Sequence, residues 1–492
     1  VRVTSLDVGH IHQPAVSPDG DWLAFRHNTE IWLAPLVRGA IADGTARRIT
    51  EEGGDSFAFT ADGSSIIYAI GNRVWRHPIP AGKPMELPVR LDPERAFPAP
   101  LLINRVRLLD YSTGDFGSET SFFIENGRIL RIGAEAGQTL PRDLVTIDAG
   151  GRFAIPGFFD MHAHIQRTFH GAWLAYGVTS LRDVGGPLDW LGALADRSDH
   201  FASELPRLFF AGDILHGVSS TRDPIMIADA AEARRYVRQW NARGVHFIKT
   251  HPGLTWSAQR ALVDEAHQLG LPVVEHGDTL AYLLRSVTVG GAFLEHLGFR
   301  RYDDVMQLLA ATGTRWTPTI AVSVRHAVTV REDPENWVDE KFRAFAPPSA
   351  VKEIFSYGIL DDMRILQGLW RETRNELHEA ETTGVKLLAG TDAPAWLVSP
   401  GVSLHQELVA FVDAGLSPLA ALRMATQDAA TALGAGSSLG SLDVGKLADI
   451  VLLDASPLED IHNTRTIWRV IKDGWLFDPE MLRPPESDST TK

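Results

Sequence analysis

Residues 156–164 read Pro-Gly-Phe-Phe-Asp-Met-His-Ala-His, a short apolar strand that ends on two histidines. Side chains alternate along a strand, so His162 and His164 share one face. From Ile155 to about Leu439 the chain keeps the same texture, with short apolar strands alternating with amphipathic helices. Strands are predicted at 154–160, 179–183, 208–211, 245–249, 273–276, 293–296, 315–319 and 386–392, and well-marked helices at 229–243, 257–269 and 302–312. Eight strands with interleaved helices predict an α/β fold, a (β/α)8 TIM-type barrel over 155–439.

In such a barrel, polar residues at the C-terminal strand ends face the mouth. Strand one ends on His162 and His164, strand four on Lys249, strand five on His276, strand six on His296 and strand eight on Asp392. Each has an ordinary reading alone: a satisfied histidine, a salt-bridged lysine, a helix-capping aspartate. Together, six ionisable groups at one end of five strands would be costly to desolvate without a cation. Imidazoles with carboxylate oxygens are the donor set of zinc and its neighbours. The chain has no cysteine, which excludes disulfides and thiolate-ligated zinc.

Other polar residues near the strand ends are candidates for substrate contact or ligand support: His216, His251 and His405, with Arg325 and His326 suited to a carboxylate or oxyanion. Glu275 and Glu295 each precede a histidine, so alternation aims them towards the helices. The connection 321–383 is unusually long, carries Trp337, Phe342, Phe345, Phe355 and Tyr357, and reads as a lid over the mouth.

These phrases also carry a resemblance. Pro-Gly-Phe-Phe-Asp-Met-His-Ala-His, Ile-Lys-Thr-His at 248–251, Val-Glu-His at 274–276, Leu-Glu-His at 294–296 and Gly-Thr-Asp-Ala-Pro at 390–394 resemble the barrel signatures of the amidohydrolase superfamily. Ser403–Leu408 and the stretch from Gly440 extend the match, which covers about residues 100–480. Within the superfamily the chain looks nearest to imidazolonepropionase-related, prolidase-like and dipeptidase-like proteins, a branch that includes the ochratoxin-cleaving amidohydrolases. The resemblance implies two divalent ions, Zn²⁺ by expectation, one held by His162, His164 and Asp392 and the other by His276 and His296. Lys249 would be carboxylated by CO₂ and bridge them. A metal-bridging hydroxide would attack an amide in a peptide-like, dipeptide or N-acyl amino acid substrate, with Asp392 moving the proton. Ester, lactone or phosphotriester hydrolysis uses the same apparatus. A mononuclear deaminase fits less well, because Gly277-Asp278-Thr279-Leu280 after His276 lacks the expected glutamate. The non-enzyme alternative is a catalytically dead binding scaffold.

The flanks differ from the middle. Ala15–Leu36 aligns without gaps on Ala58–Ile79, an offset of 43 residues with an Asp-Gly turn in each copy. That period and turn are those of a propeller blade, and the Ser-Pro-Asp-Gly phrase resembles TolB-like β-propellers. Residues 1–95 are therefore expected to form an all-β two-blade segment acting as scaffold. Residues 96–154 and 440–480 read as short strands with hairpin turns at Asn126-Gly127 and Asp473-Gly474, forming one composite β-sandwich domain. The tail 484–492 is expected to be disordered.

Composition limits the partners. The formal charge is −15, with 44% apolar and 22% charged residues, so nucleic acid and anionic membranes are poor partners and a small-molecule substrate is the expectation. No apolar run reaches the length of a membrane helix. Homo-oligomerisation stays open, as does the compartment, because a cysteine-free chain suits both cytoplasm and periplasm. The chain begins at Val1 without a charged-then-apolar leader; a leader has been removed, or the chain is a piece of something longer.

Overall fold

The structure is a computed structural model. It describes residues 11–483 apart from residues 28, 39, 42–44, 52, 72, 90–96, 134–140, 167–169, 201–203, 218–224, 278, 297–302, 323–339, 346–362 and 396–397.

Eight parallel strands alternate with helices in the middle of the chain. They are β1 (Phe158–Ala163), β2 (Val178–Asp183), β3 (Arg207–Phe210), β4 (Ile248–Thr250), β5 (Val273–His276), β6 (Phe293–Glu295), β7 (Arg315–Thr317) and β8 (Lys386–Leu387). β1–β3 pair in order, as do β4–β8. His246 N donates to Phe210 O at 2.9 Å between β3 and β4. On the other side, Met161 N donates to Ala389 O at 2.9 Å and His164 N to Ala393 O at 2.8 Å. These links make the order cyclic, as an eight-stranded barrel requires.

The connecting helices are α1 (His170–Ala175), α2 (Leu188–His200), α3 (Ala230–Ala242), α4 (Trp256–Gln268), α5 (Leu280–Val289), α6 (Asp303–Thr312) and α7 (Met363–Thr383), with α8 (Val402–Asp413) after β8. Their starts are chemically marked. Asp229, Thr255 and Thr279 each accept from the amide three residues on, capping α3, α4 and α5. Strand residues such as Leu181, Leu208, Ile248 and Val273 belong to one large apolar core with the helices. A second cluster, including Phe159, Met161, Phe247, Phe293 and Leu388, lies one to four residues before the polar strand ends.

The run 154–160, expected as one strand, is divided. Ala154–Pro156 end a long strand, Val145–Pro156, of a neighbouring sheet, and β1 begins at Phe158. Gly157 makes the break: a Cβ there would lie 2.2 Å from the Thr179 hydroxyl. The neighbouring sheet draws on both flanks of the barrel, with order 128–132, 120–125, 101–110, 145–156, 450–453, 467–472 and 475–477. Its tight turns carry left-handed residues, Asn126 (φ 52°) before Gly127 (φ 74°) and Asp473 (φ 50°) before Gly474 (φ 80°).

The N-terminal region is all-β, with two antiparallel sheets, 11–48 and 56–87. The repeat persists in three dimensions. Phe25 faces Trp32 in the first sheet, and Tyr68 faces Trp75 at the equivalent pairing in the second. Both sheets rest on α3 and its C-cap: Thr29 Oγ1 donates to Gln239 Oε1 (2.8 Å), and Arg243 Nε donates to Asp55 (2.6 Å).

The long connection after β7, expected as a lid, is described only in part, and its two described helices do not cover the mouth. Its last part, Met363–Thr383, is the barrel's own α7. Phe342 and Phe345 lie on a short helix, Glu340–Phe345, and are buried in apolar clusters. Phe345 packs with Ala172, Ala175 and Leu482, and Lys341 Nζ donates to Ala175 O at 2.6 Å. Ala175 precedes β2, so this helix docks beside the end where the strands begin, and its aromatics extend the core instead of walling the mouth. Trp337, Phe355 and Tyr357 lie outside the described residues.

Candidate metal centre

The C-terminal ends of β1, β4, β5, β6 and β8 converge. Asp392 Oδ1 lies 3.2 Å from His164 Nε2 and 3.5 Å from His162 Nε2. His162, His296 and Asp392 each present a ligand atom within 4.8 Å of the others. Gly390 allows this closeness, since a Cβ there would meet His162 N at 2.6 Å. Ring centroids then step from His162 to His296 (4.5 Å), to His276 (4.5 Å), to His251 (4.3 Å) and to His216 (4.5 Å). Six imidazoles, counting His164, thus form one continuous row, and His216 and His251 extend it away from Asp392.

Lys249 Nζ is buried and has no hydrogen-bond partner among the described residues; the same holds for His276 Nδ1. Burial, with the nearby Arg182 charge, lowers Lys249 to about 8 against the pull of Glu295. Burial and the Lys249 charge lower His251 to about 2 and push His276 further down. Burial likewise brings His296 to about 4, although Asp392 pulls the other way. These rings are therefore neutral and have lone pairs to offer. Burial works against the charged forms of Asp392 and His164, yet their contact wins: Asp392 stays below the usual carboxylate range and His164 rises to about 9.

The outer contacts fix ring orientation. His162 Nδ1 meets Glu295 Oε2 at 2.5 Å, His164 Nδ1 donates to Gly185 O at 2.8 Å, and His296 Nδ1 meets Thr319 Oγ1 at 2.8 Å. Protons on Nδ1 of His162 and His296 leave their Nε2 lone pairs facing inward, the usual arrangement around metal-ligating histidines. Glu295 corrects an expectation: it points into the barrel, where Arg182 Nη2 donates to it at 2.5 Å. His296 has φ +69°, which breaks the strand there, so Glu295 and His296 both reach the interior. Glu275 does face the helices, accepting from Tyr282 OH at 2.8 Å.

His405 is placed elsewhere. It is buried between Thr464 Oγ1 (2.9 Å) and Tyr176 O (3.0 Å), beside Phe158 at the start of β1. Arg325 and His326 lie outside the described residues. Sequence reasoning missed Arg182, Thr319 and Glu295. The available signal was an arginine within the short barrel strand β2, fully buried here over the Phe293 ring at 4.7 Å.

Removing one member of that buried pair should be expensive. Arg182→Met leaves the Glu295 carboxylate uncompensated and is expected to cost about 3–5 kcal/mol. Equilibrium urea unfolding measures this, and a loss below ~1 kcal/mol would show that Arg182 does not sustain Glu295.

Residues 177–476, more than half of the chain, match the model of the amidohydrolase family. The chain belongs to the amidohydrolase family. It is an enzyme of the hydrolase class acting on C–N bonds. It is 26% identical to an ochratoxinase of Aspergillus niger over 408 residues, covering 68% of this chain and 78% of that protein. It is 26% identical over 392 residues to an imidazolonepropionase of Sphingopyxis alaskensis, covering 71% and 91%. Among solved structures, an Xaa-Pro dipeptidase with bound methionine superposes with a TM-score of 0.61 at 23% identity, over 77% of this chain and all of that one. At that identity the likeness is one of fold.

Proposed function

We propose that this amidohydrolase-family enzyme cleaves an amide bond in a small peptide-like, dipeptide or N-acyl amino acid substrate at a pair of divalent ions, Zn²⁺ by preference. His162, His164 and Asp392 would hold one ion, His276 and His296 the other, with a carboxylated Lys249 between them. The observation that carries the reading is Lys249 Nζ, buried and without a hydrogen-bond partner among the described residues. An unpaired buried amine is costly. A carbamate made from it with CO₂ is an anionic two-oxygen donor, and burial provides the neutral amine that this reaction needs. When bound, the two ions supply Lewis acidity for a scissile carbonyl and activate water.

The chain's own residues handle the rest. Asp392 is ionised at neutral pH and presents Oδ1 beside two histidine Nε2 atoms. It can take a proton from the attacking water and pass it to the leaving nitrogen. His216 and His251 continue the imidazole row beyond the ligands, which suits hydrogen bonding to substrate. The same substrate-binding role is proposed for Arg325 and His326. The N-terminal sheets act as scaffold; their shared register and their seat on α3 support TolB-like blades.

The test is turnover by purified, zinc-loaded protein against dipeptides, N-acyl amino acids, lactones and phosphotriesters. Amides are expected to be cleaved with the highest kcat/KM. Turnover of lactones or phosphotriesters with none of any amide would reject the substrate class while leaving the metal centre standing.

A further inference from the structure

Several buried acids have no task in the metal centre, and one of them is Glu407. Glu407 lies on α8, fully buried, and among the described residues its hydrogen bonds run to the backbone after β7 and not to the proposed centre. Its two oxygens are taken by two consecutive backbone amides: Ile320 N donates to Oε1 at 3.0 Å and Ala321 N to Oε2 at 2.9 Å. Those amides open the short 3₁₀ turn Ile320–Val322 that follows β7. Immediately before it, Thr319 has φ +48°. A β-branched residue there is strained and persists only where its surroundings hold it. The strained conformation has a consequence, since it aims Thr319 Oγ1 at His296 Nδ1, 2.8 Å away.

We infer that Glu407 is a positioning residue for His296, pinning the backbone at 320–321 so that Thr319 stays left-handed and its hydroxyl fixes the imidazole. Thr319 accepts the Nδ1 proton, and the Nε2 lone pair is left facing His162 and Asp392. Glu407 thereby acts across two intermediaries, from an outer helix to a strand-end ring. The inference rests on the proposed metal centre, because an oriented lone pair matters only to something that binds it.

A double-mutant cycle on the full-length chain separates this role from simple packing. Thr319→Val removes the hydroxyl at nearly constant shape. Glu407→Gln keeps one acceptor and turns an NH₂ towards the second amide. Zn²⁺ binding to chelator-stripped protein and steady-state kinetics are measured on wild type, both single variants and the double variant. Each single variant is expected to weaken Zn²⁺ binding by about 10–100-fold and to lower kcat more than it raises KM. The double variant should resemble Thr319→Val alone. If Glu407→Gln fails to fold, Glu407→Asp, whose shorter arm releases the amides but keeps the carboxyl group, replaces it in the cycle. Wild-type zinc binding with unaltered binding in the Glu407 variant, or effects that simply multiply, would overturn the inference alone. A wild type that binds no zinc would overturn it together with the metal reading.

Discussion

Lys249→Ala is expected to lose bound metal and activity together. The methyl side chain cannot form a carbamate, so the donor proposed to span the two ions disappears while the four histidines and Asp392 stay. Bound metal should fall below about one equivalent per chain. Turnover should fall by at least ~10³-fold, because groups that act as a unit fail as a unit. The deleted side chain leaves room beside His276 and His296, and a short carboxylic acid such as acetate or propionate brings two oxygens to the same place. Part of the activity should therefore return with added acid and saturate with its concentration. A lysine that only filled space would give a destabilised protein, with no response to acid.

Asp392→Asn separates binding from proton transfer. Asparagine keeps the size and one carbonyl oxygen, so much of the metal should remain. It cannot carry the proton, and kcat is expected to drop by about 10²–10⁴-fold with a smaller change in KM. The measurement is steady-state kinetics with metal content determined on the same preparation. Near-wild-type turnover in this variant would remove Asp392 from the proton path.

How much of the centre was legible in the sequence depended on how regular the backbone is at each position. His162 and His164 could be read because alternation along β1 was enough to place both at the mouth. Lys249 and His276 end well-formed strands and were found in the same way. Glu295 was misplaced because His296 adopts a left-handed backbone, and period-two reasoning fails at such a residue. Thr319 was invisible for a related reason: its role comes from a strained turn and not from its spacing. Arg182 is a buried charge in a barrel strand whose partner, Glu295, lies 113 residues away.

On the scale of the fold, β/α alternation and the two tight hairpin turns follow from local chemistry. The split at Gly157 does not, because it comes from a close approach to Thr179 in the next strand. Of the aromatic residues singled out in the connection after β7, Phe342 and Phe345 are buried as their apolar character implies, but away from the mouth. Phe345 fills a seam against α1 and Leu482 and Phe342 joins the main core, and aromatic content cannot distinguish a core position from a substrate wall.

The central claim is that the converging strand ends hold two divalent ions around Lys249. Metal analysis of the purified wild-type chain, by elemental emission against a protein concentration from amino-acid analysis, tests it most directly. The account predicts about two equivalents of zinc or a neighbouring divalent metal per chain, released by chelator with loss of activity and restored by metal and bicarbonate together. Less than about half an equivalent in a preparation that retains full activity would contradict it.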